Sequence, residues 1–141
     1  DSELDEDAFF GGDPARAASG PPDAPEGTEV PFAPNFNATL SARYDGSINP
    51  EMDYFWQADI NHNGSSFNGL TGSAVFPLQE QDSYTLVNLS AGITRGKIRA
   101  GVSLENATDD RGEVTVGSTG SPNDIFIPRP RTLFFKLGYD F

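Results

Sequence analysis

Five stretches of this chain alternate apolar with polar residues almost one for one, and a period of two suits extended strands rather than helices. In "FNATLSARY", Phe36, Ala38, Leu40, Ala42 and Tyr44 fall on one side, and Asn37, Thr39, Ser41 and Arg43 on the other. "YFWQADINHN" sets Tyr54, Trp56, Ala58 and Ile60 against Phe55, Gln57, Asp59 and Asn61. "TLVNLSAGI" sets Val87, Leu89, Ala91 and Ile93 against Leu86, Asn88, Ser90 and Gly92. "KIRAGVSLEN" sets Ile98, Ala100, Val102 and Leu104 against Lys97, Arg99, Gly101, Ser103 and Glu105. The fifth stretch, "RPRTLFFKLGYDF", sets Leu133, Phe135, Leu137, Tyr139 and Phe141 against Phe134, Lys136, Gly138 and Asp140. Successive side chains of a strand point to opposite faces, so a slip of one residue would exchange the two sets. The chain is therefore expected to be all-β, with about five strands of about 9–11 residues, the length that crosses a bilayer when tilted.

The connections alternate in length. A short turn ("DGSINPEM") and a tight turn at Arg95-Gly96 lie on one side, and long loops over about 64–83 and 109–129 on the other. Short turns at one end and long loops at the other are the habit of outer-membrane barrels. The aromatics follow the same division. Tyr44, Tyr54, Tyr139 and Phe141 collect at the short-turn edge, with Trp56 beside Tyr54, and Phe36 and Tyr84 at the long-loop edge. Tilted by about 40°, Phe36 to Tyr44 rises about 20 Å, close to the roughly 25 Å apolar band of such barrels. These seven aromatics are expected at the membrane interfaces. Arg43, Asp59, Arg99, Glu105 and Lys136, on the opposite faces, are expected to line a polar lumen. The same local pattern also fits a soluble sandwich, in which the apolar face is the core. Ala38, Ala42, Ala58, Ala91 and Ala100 weigh toward lipid, because a soluble core of so many small residues packs thinly.

Residues 1–34 read differently. They are rich in Gly, Pro, Ala and acids, and are expected to form a loop without lasting helix or strand. Residues 1–29 hold nine acids and one base, Arg16, so much of the net charge of −12 resides there. That balance argues against a nucleic-acid partner, because phosphate neutralisation needs Lys and Arg. The chain has no cysteine, which removes disulfides and thiolate metal sites. It has no run of about 18 apolar residues, as a membrane helix would need; barrel strands, being only half apolar, leave no such run. It begins at Asp1 without a signal peptide and reads as a mature or cut piece.

No catalytic, cofactor or metal site is expected. His62 is the sole histidine, too few for a triad or a histidine zinc site. "DINHNG", Asp59 to Gly64, matches the front half of a calcium loop, but Leu70 stands where the closing glutamate belongs. It reads as a polar face running into a turn. "DSELDED" reads as a solvated loop, with cation binding left open. Arg129 and Arg131 are expected to form ion pairs with acids of neighbouring strands rather than to bind phosphate.

Three segments carry a family resemblance. Asn106-Ala107-Thr108-Asp109-Asp110-Arg111 resembles the motif that ends the second-last strand of TonB-dependent outer-membrane receptors. Arg129-Pro130-Arg131-Thr132, running on to Phe141, resembles their last strand, and "FAPNFNATLSARYD" the Pro-led start of an earlier one. Ala107 replaces the usual Leu, and Gly138 lies nearer the end than the usual assembly-signal glycine. The resemblance covers about residues 30–141. It implies an antiparallel up-and-down transmembrane barrel of about 22 strands, of which 35–141 supplies the last five. Residues 1–34 would be an extracellular loop. It further implies active uptake of a scarce nutrient of the iron-siderophore, cobalamin or glycan type across the outer membrane of a Gram-negative bacterium. The implied partners are the remaining barrel strands and a plug domain, the TonB complex through the part not present, and outer-membrane lipid and lipopolysaccharide. The barrel assembly machinery would read Tyr139 and Phe141 as a C-terminal signal. The alternative is a soluble, secreted all-β binding domain of carbohydrate-binding type, with Trp56 and the tyrosines as stacking platforms.

Overall fold

The computed structural model describes residues 2–10, 20–71, 78–118 and 121–141. These residues form nine strands and no helix: β1 (Asn37–Asn49), β2 (Met52–Asn63), β3 (Ser66–Phe67), β4 (Glu80–Gln81), β5 (Tyr84–Arg95), β6 (Ile98–Glu105), β7 (Thr115–Ser118), β8 (Ser121–Phe126) and β9 (Thr132–Tyr139). The protein is all-β and its strand pairings are antiparallel. It divides into two compact units. One comprises residues 37–63, 84–111 and 128–141; the other comprises 1–36, 64–83 and 112–127.

The first unit is a five-stranded sheet in the order β1-β2-β5-β6-β9. Its strands are the five alternating stretches, and the register keeps their parity. Tyr44, Trp56, Ala91, Val102 and Phe135 form one continuous row; Arg43, Gln57, Ser90, Ser103 and Phe134 form the next, on the other face. The sheet does not close on itself, and β1 and β9 are its free edges.

The first hairpin turn is shorter than the sequence suggested, and the second is a two-residue turn displaced by one residue from Arg95-Gly96. β1 runs on through Asp45, Gly46 and Ser47, with a register shift between Ser47 and Asn49, and only Pro50-Glu51 make the turn. Two features permit this. Tyr54 lies over Gly46, filling the space where a side chain would stand, and the Asn49 side chain accepts the Glu51 N–H at 3.0 Å. Between β5 and β6 the loop is Gly96-Lys97. Gly96 has φ 54°, at the first loop position, where a type II′ hairpin carries glycine.

The second unit contains pairings that the sequence did not announce. Within the expected loop at 1–34, residues 2–8 lie antiparallel to 24–30, with bridges Glu3↔Glu29 and Ala8↔Ala24. The Val30 N–H donates to Ser2 O and the Leu4 N–H to Thr28 O. Asp1, residues 11–19 with Asp13 and Arg16, residues 72–77 and residues 119–120 lie outside the described residues. The two long loops hold the small hairpins β3–β4 and β7–β8.

Among the described residues the only buried hydrophobic side chain is Ala24. The large apolar side chains of the five-stranded sheet, Leu40, Trp56, Leu89, Phe135 and Leu137 among them, are exposed.

Candidate functional site

The site is the five-stranded sheet itself, whose two faces differ in chemistry. On the apolar face the register lines up Leu40, Ile60 and Val87, then Ala42, Ala58, Leu89, Leu104 and Leu133, then the Trp56 row, then Gly46, Tyr54, Ile93, Ala100 and Leu137. Between the His62–Thr85 pair at one end and Arg95 at the other, no charged residue stands on this face. His62 Nδ1 and Thr85 Oγ1 lie 2.9 Å apart there. The large side chains are open: Phe135 is 78% exposed and Leu137 83%.

Aromatic residues gather toward the short-turn end of this face. The rings of Tyr44 and Trp56 stack at 5.8 Å, and Tyr54 lies 6.1 Å from Tyr44. Tyr139 and Phe141 meet edge to face at 5.4 Å. Phe36, just before β1, has the parity of Ala38 and is exposed. Tyr84 does not join it. Its partner in the register is Asn63, itself paired with Asn37, which puts Tyr84 on the polar face. The sequence reading misplaced it by treating closeness to the strand end as membership of a girdle, although the alternation through Thr85 and Val87 gives Tyr84 the other parity.

The polar face carries Arg43, Asp59, Arg99, Glu105 and Lys136 together, as the alternation required. Most of its charges are satisfied locally. Arg43 meets Asp45 at 2.7 Å, Arg99 pairs with Asp140, and Arg129 reaches Glu105 at 3.6 Å. Ser41 Oγ donates to Asp59 Oδ1 at 2.7 Å, and Gln57 Nε2 donates to Asp59 Oδ2 at 2.8 Å. The "DINHNG" segment is strand through Asn63, and the Gly64 N–H donates to Phe36 O at 2.7 Å. Phe55 is the notable apolar member of this face. Its ring occupies the space a Gly92 side chain would take, and the Arg43 guanidinium sits 4.2 Å from the ring centroid. A lone glycine on the polar side of a strand was the only sequence signal of this arrangement.

Where β6 ends, the residues of the Asn-Ala-Thr-Asp-Asp-Arg motif form a clamp. Asn106 is 3% exposed, with φ 49°. Its Nδ2 donates at 2.9 Å to both Asp110 O and Arg129 O, and its Oδ1 accepts the Asp110 N–H at 3.0 Å. The side chain thus joins the point where the chain leaves the sheet to the point where it returns. Asp109, with φ 56°, accepts the Arg131 N–H at 2.9 Å and the Arg111 guanidinium at 3.2 Å. The Arg131 backbone N–H first, and the Arg111 guanidinium second, hold the Asp109 carboxyl below the usual carboxylate range. Asp110 accepts the Thr85 N–H at 2.8 Å, fastening the same turn to the start of β5.

Between this clamp and mid-sheet, the polar face holds a cavity of about 390 Å³ lined by Asp59, Asn88, Ser90, Ser103, Glu105 and Lys136, among others. Among the described residues, no group of three or more His, Asp or Glu side chains is arranged to hold a metal ion. No family model, curated protein or solved structure matches this chain.

Proposed function

We propose that this chain forms the C-terminal wall of a TonB-dependent outer-membrane receptor that takes up a scarce nutrient of the iron-siderophore, cobalamin or glycan type. The supporting observation is the uncovered apolar face. A continuous, uncharged field of Leu, Ile, Val, Ala, Trp and Tyr lies exposed on a sheet whose other face is hydrogen-bonded and ion-paired. Exposed apolar patches on proteins in water rarely exceed a few hundred Å². Lipid supplies the missing cover without a second sheet.

On this reading Arg43, Asp59, Arg99, Glu105 and Lys136 face an aqueous lumen, and the aromatics near Tyr44 and Tyr139 sit at the periplasmic interface. The free backbone groups of β1 and β9 cannot stand in hydrocarbon. Further strands, from another chain or from a longer form of this protein, pair with both edges and close the barrel. The plug and the segment that meets the TonB complex belong to that remainder. Tyr139 and Phe141 serve barrel assembly. The chain itself catalyses no reaction; it contributes wall, girdle and part of the outer loop surface.

The test is photolabelling of the assembled protein in vesicles with a lipid-phase carbene precursor. Trp56 and Leu137 should be labelled, and Gln57 and Lys136 spared. Labelling of neither apolar residue would sink the membrane reading in favour of a soluble binding domain.

A further inference from the structure

We propose that the cavity beneath the Asn106 clamp binds a small polyhydroxy monocarboxylate, of the size of a sugar acid. This rests on the reading of the polar face as open to water within a barrel, and it names a ligand chemistry for that face.

The donors and acceptors that remain available in the cavity set the chemistry of its ligand. Of the cavity's two acids, one is ion-paired, and the other keeps its charge but stands on β2, three strands from Lys136 on β9. Glu105 pairs with Arg129 at 3.6 Å, and Asp59 accepts from Ser41 and Gln57. The Asn88 side-chain oxygen accepts the Asn106 N–H at 3.0 Å, which leaves the Asn88 amide nitrogen as a donor. Ser90 and Ser103 stand directly opposite each other across β5 and β6, and neither hydroxyl has a partner among the described residues. Lys136 likewise has neither an ion pair nor a hydrogen bond there. Asp140, just past the end of β9, lies about 13 Å away at about 3.3 Å per residue, and is paired with Arg99. The open side chains thus offer an ammonium, an amide N–H₂ and two hydroxyls, with the Asp59 carboxylate three strands away from the ammonium.

Such a site selects a ligand rich in acceptors with one negative charge. One uncommitted cation matches a carboxylate. A phosphate ester, with about −1.5 to −2 charges near neutrality, would need a second cation, and Arg129 is held by Glu105. The volume of about 390 Å³ lies within the range of small-molecule pockets, about 300–1,000 Å³, and has room for a hexuronic acid. Ser90 and Ser103 would meet its hydroxyls while Lys136 meets its carboxylate.

The experiment is calorimetric titration of the assembled protein in detergent micelles with glucuronate, glucose and inorganic phosphate. Saturable glucuronate binding is expected, at least about tenfold tighter than glucose. Lys136→Gln should abolish that preference and Lys136→Arg should retain it. Glu105→Gln, which frees Arg129, should create phosphate binding absent from the parent, a gain that loss of folding cannot imitate. Equal binding of glucose and glucuronate overturns the proposal, as does an unchanged preference in Lys136→Gln, or the absence of saturable binding. Phosphate bound more tightly than glucuronate by the parent overturns the monocarboxylate assignment. Trp56 labelling by a lipid-phase reagent reports the membrane reading separately. Labelled Trp56 without glucuronate binding would reject this site alone.

Discussion

Replacing Leu89 with arginine puts a charge near the centre of the apolar face. Thr85 and Arg95 bracket that face on β5, and at about 3.3 Å per residue they lie about 33 Å apart along the strand. A tilt of about 40° reduces this to about 25 Å of height, the thickness of the apolar band in outer-membrane barrels. On the proposed lipid-facing arrangement Leu89 sits about 10 Å below one margin and about 15 Å above the other, within a few Å of the midplane. Its neighbours in the register are Ala58 and Leu104, neither of which can pair with a guanidinium. Arginine there should cost about 2–4 kcal/mol, whereas the same change at Ile98, beside Arg95 at the margin, should cost about 0–1 kcal/mol. On a face in contact with water, both would stay within about 0.5 kcal/mol. The assay is reversible urea unfolding of the assembled protein from lipid vesicles, followed by fluorescence and by the gel-mobility shift of folded barrels. A depth profile across Val87, Leu89, Ile93 and Ile98 is the decisive readout. A flat profile, or a larger cost at Ile98 than at Leu89, would refute the reasoning.

Three further outcomes follow from the geometry. Gly92→Ala brings a methyl group to 2.5 Å from the Phe55 ring, and should cost about 1–3 kcal/mol by chemical unfolding; most of that should vanish in a Phe55→Ala background, and an undiminished cost would show that the ring is not the obstacle. Asn106→Ala should cost about 1–3 kcal/mol for the unpaired carbonyls of Asp110 and Arg129, with up to about 1–2 kcal/mol more for the left-handed backbone. Asn106→Gly should recover only the backbone part, so a glycine variant as stable as the parent would remove the clamp's importance. Asp109 has a lowered carboxyl pKa in the folded chain, so its contribution is full above the unfolded value of about 4 and is lost as pH falls through the lower folded value. The stability gap between the parent and Asp109→Asn should therefore be present at neutral pH and shrink in strong acid, and a gap independent of pH would contradict the assignment.

The sheet was legible because alternation is a property of side chains, and side chains are what a sequence displays. Arg43, Asp59, Arg99, Glu105 and Lys136 share a face because parity carries from strand to strand once the pairing register is set. What escaped lies in the backbone. The pairing of residues 2–8 with 24–30 uses main-chain N–H and C=O groups and needs no apolar pattern, so glycines, prolines and acids hid it. The continuation of β1 past Tyr44 depended on Tyr54 covering Gly46, a contact between strands that no local window contains. Tyr84 was misplaced because strand-end position was weighed above parity. The Asn106 clamp was visible only as a motif, since its meaning lies in two carbonyls, one of them at Arg129 across the loop. The donors at Ser90 and Ser103 looked like ordinary polar-face residues until the register set them opposite one another.

The chain has no cysteine, so single cysteines can be introduced one at a time and spin-labelled. The most direct measurement is label accessibility along β9, from Leu133 to Tyr139, in the assembled protein in lipid vesicles. Oxygen, which concentrates in hydrocarbon, and a water-soluble nickel chelate serve as the two relaxing agents. Labels at positions 133, 135, 137 and 139 should favour oxygen, and those at 134, 136 and 138 should favour the chelate, the two profiles alternating out of phase. Profiles that rise and fall together, or apolar-face positions as open to the chelate as Lys136, would contradict a lipid-facing sheet.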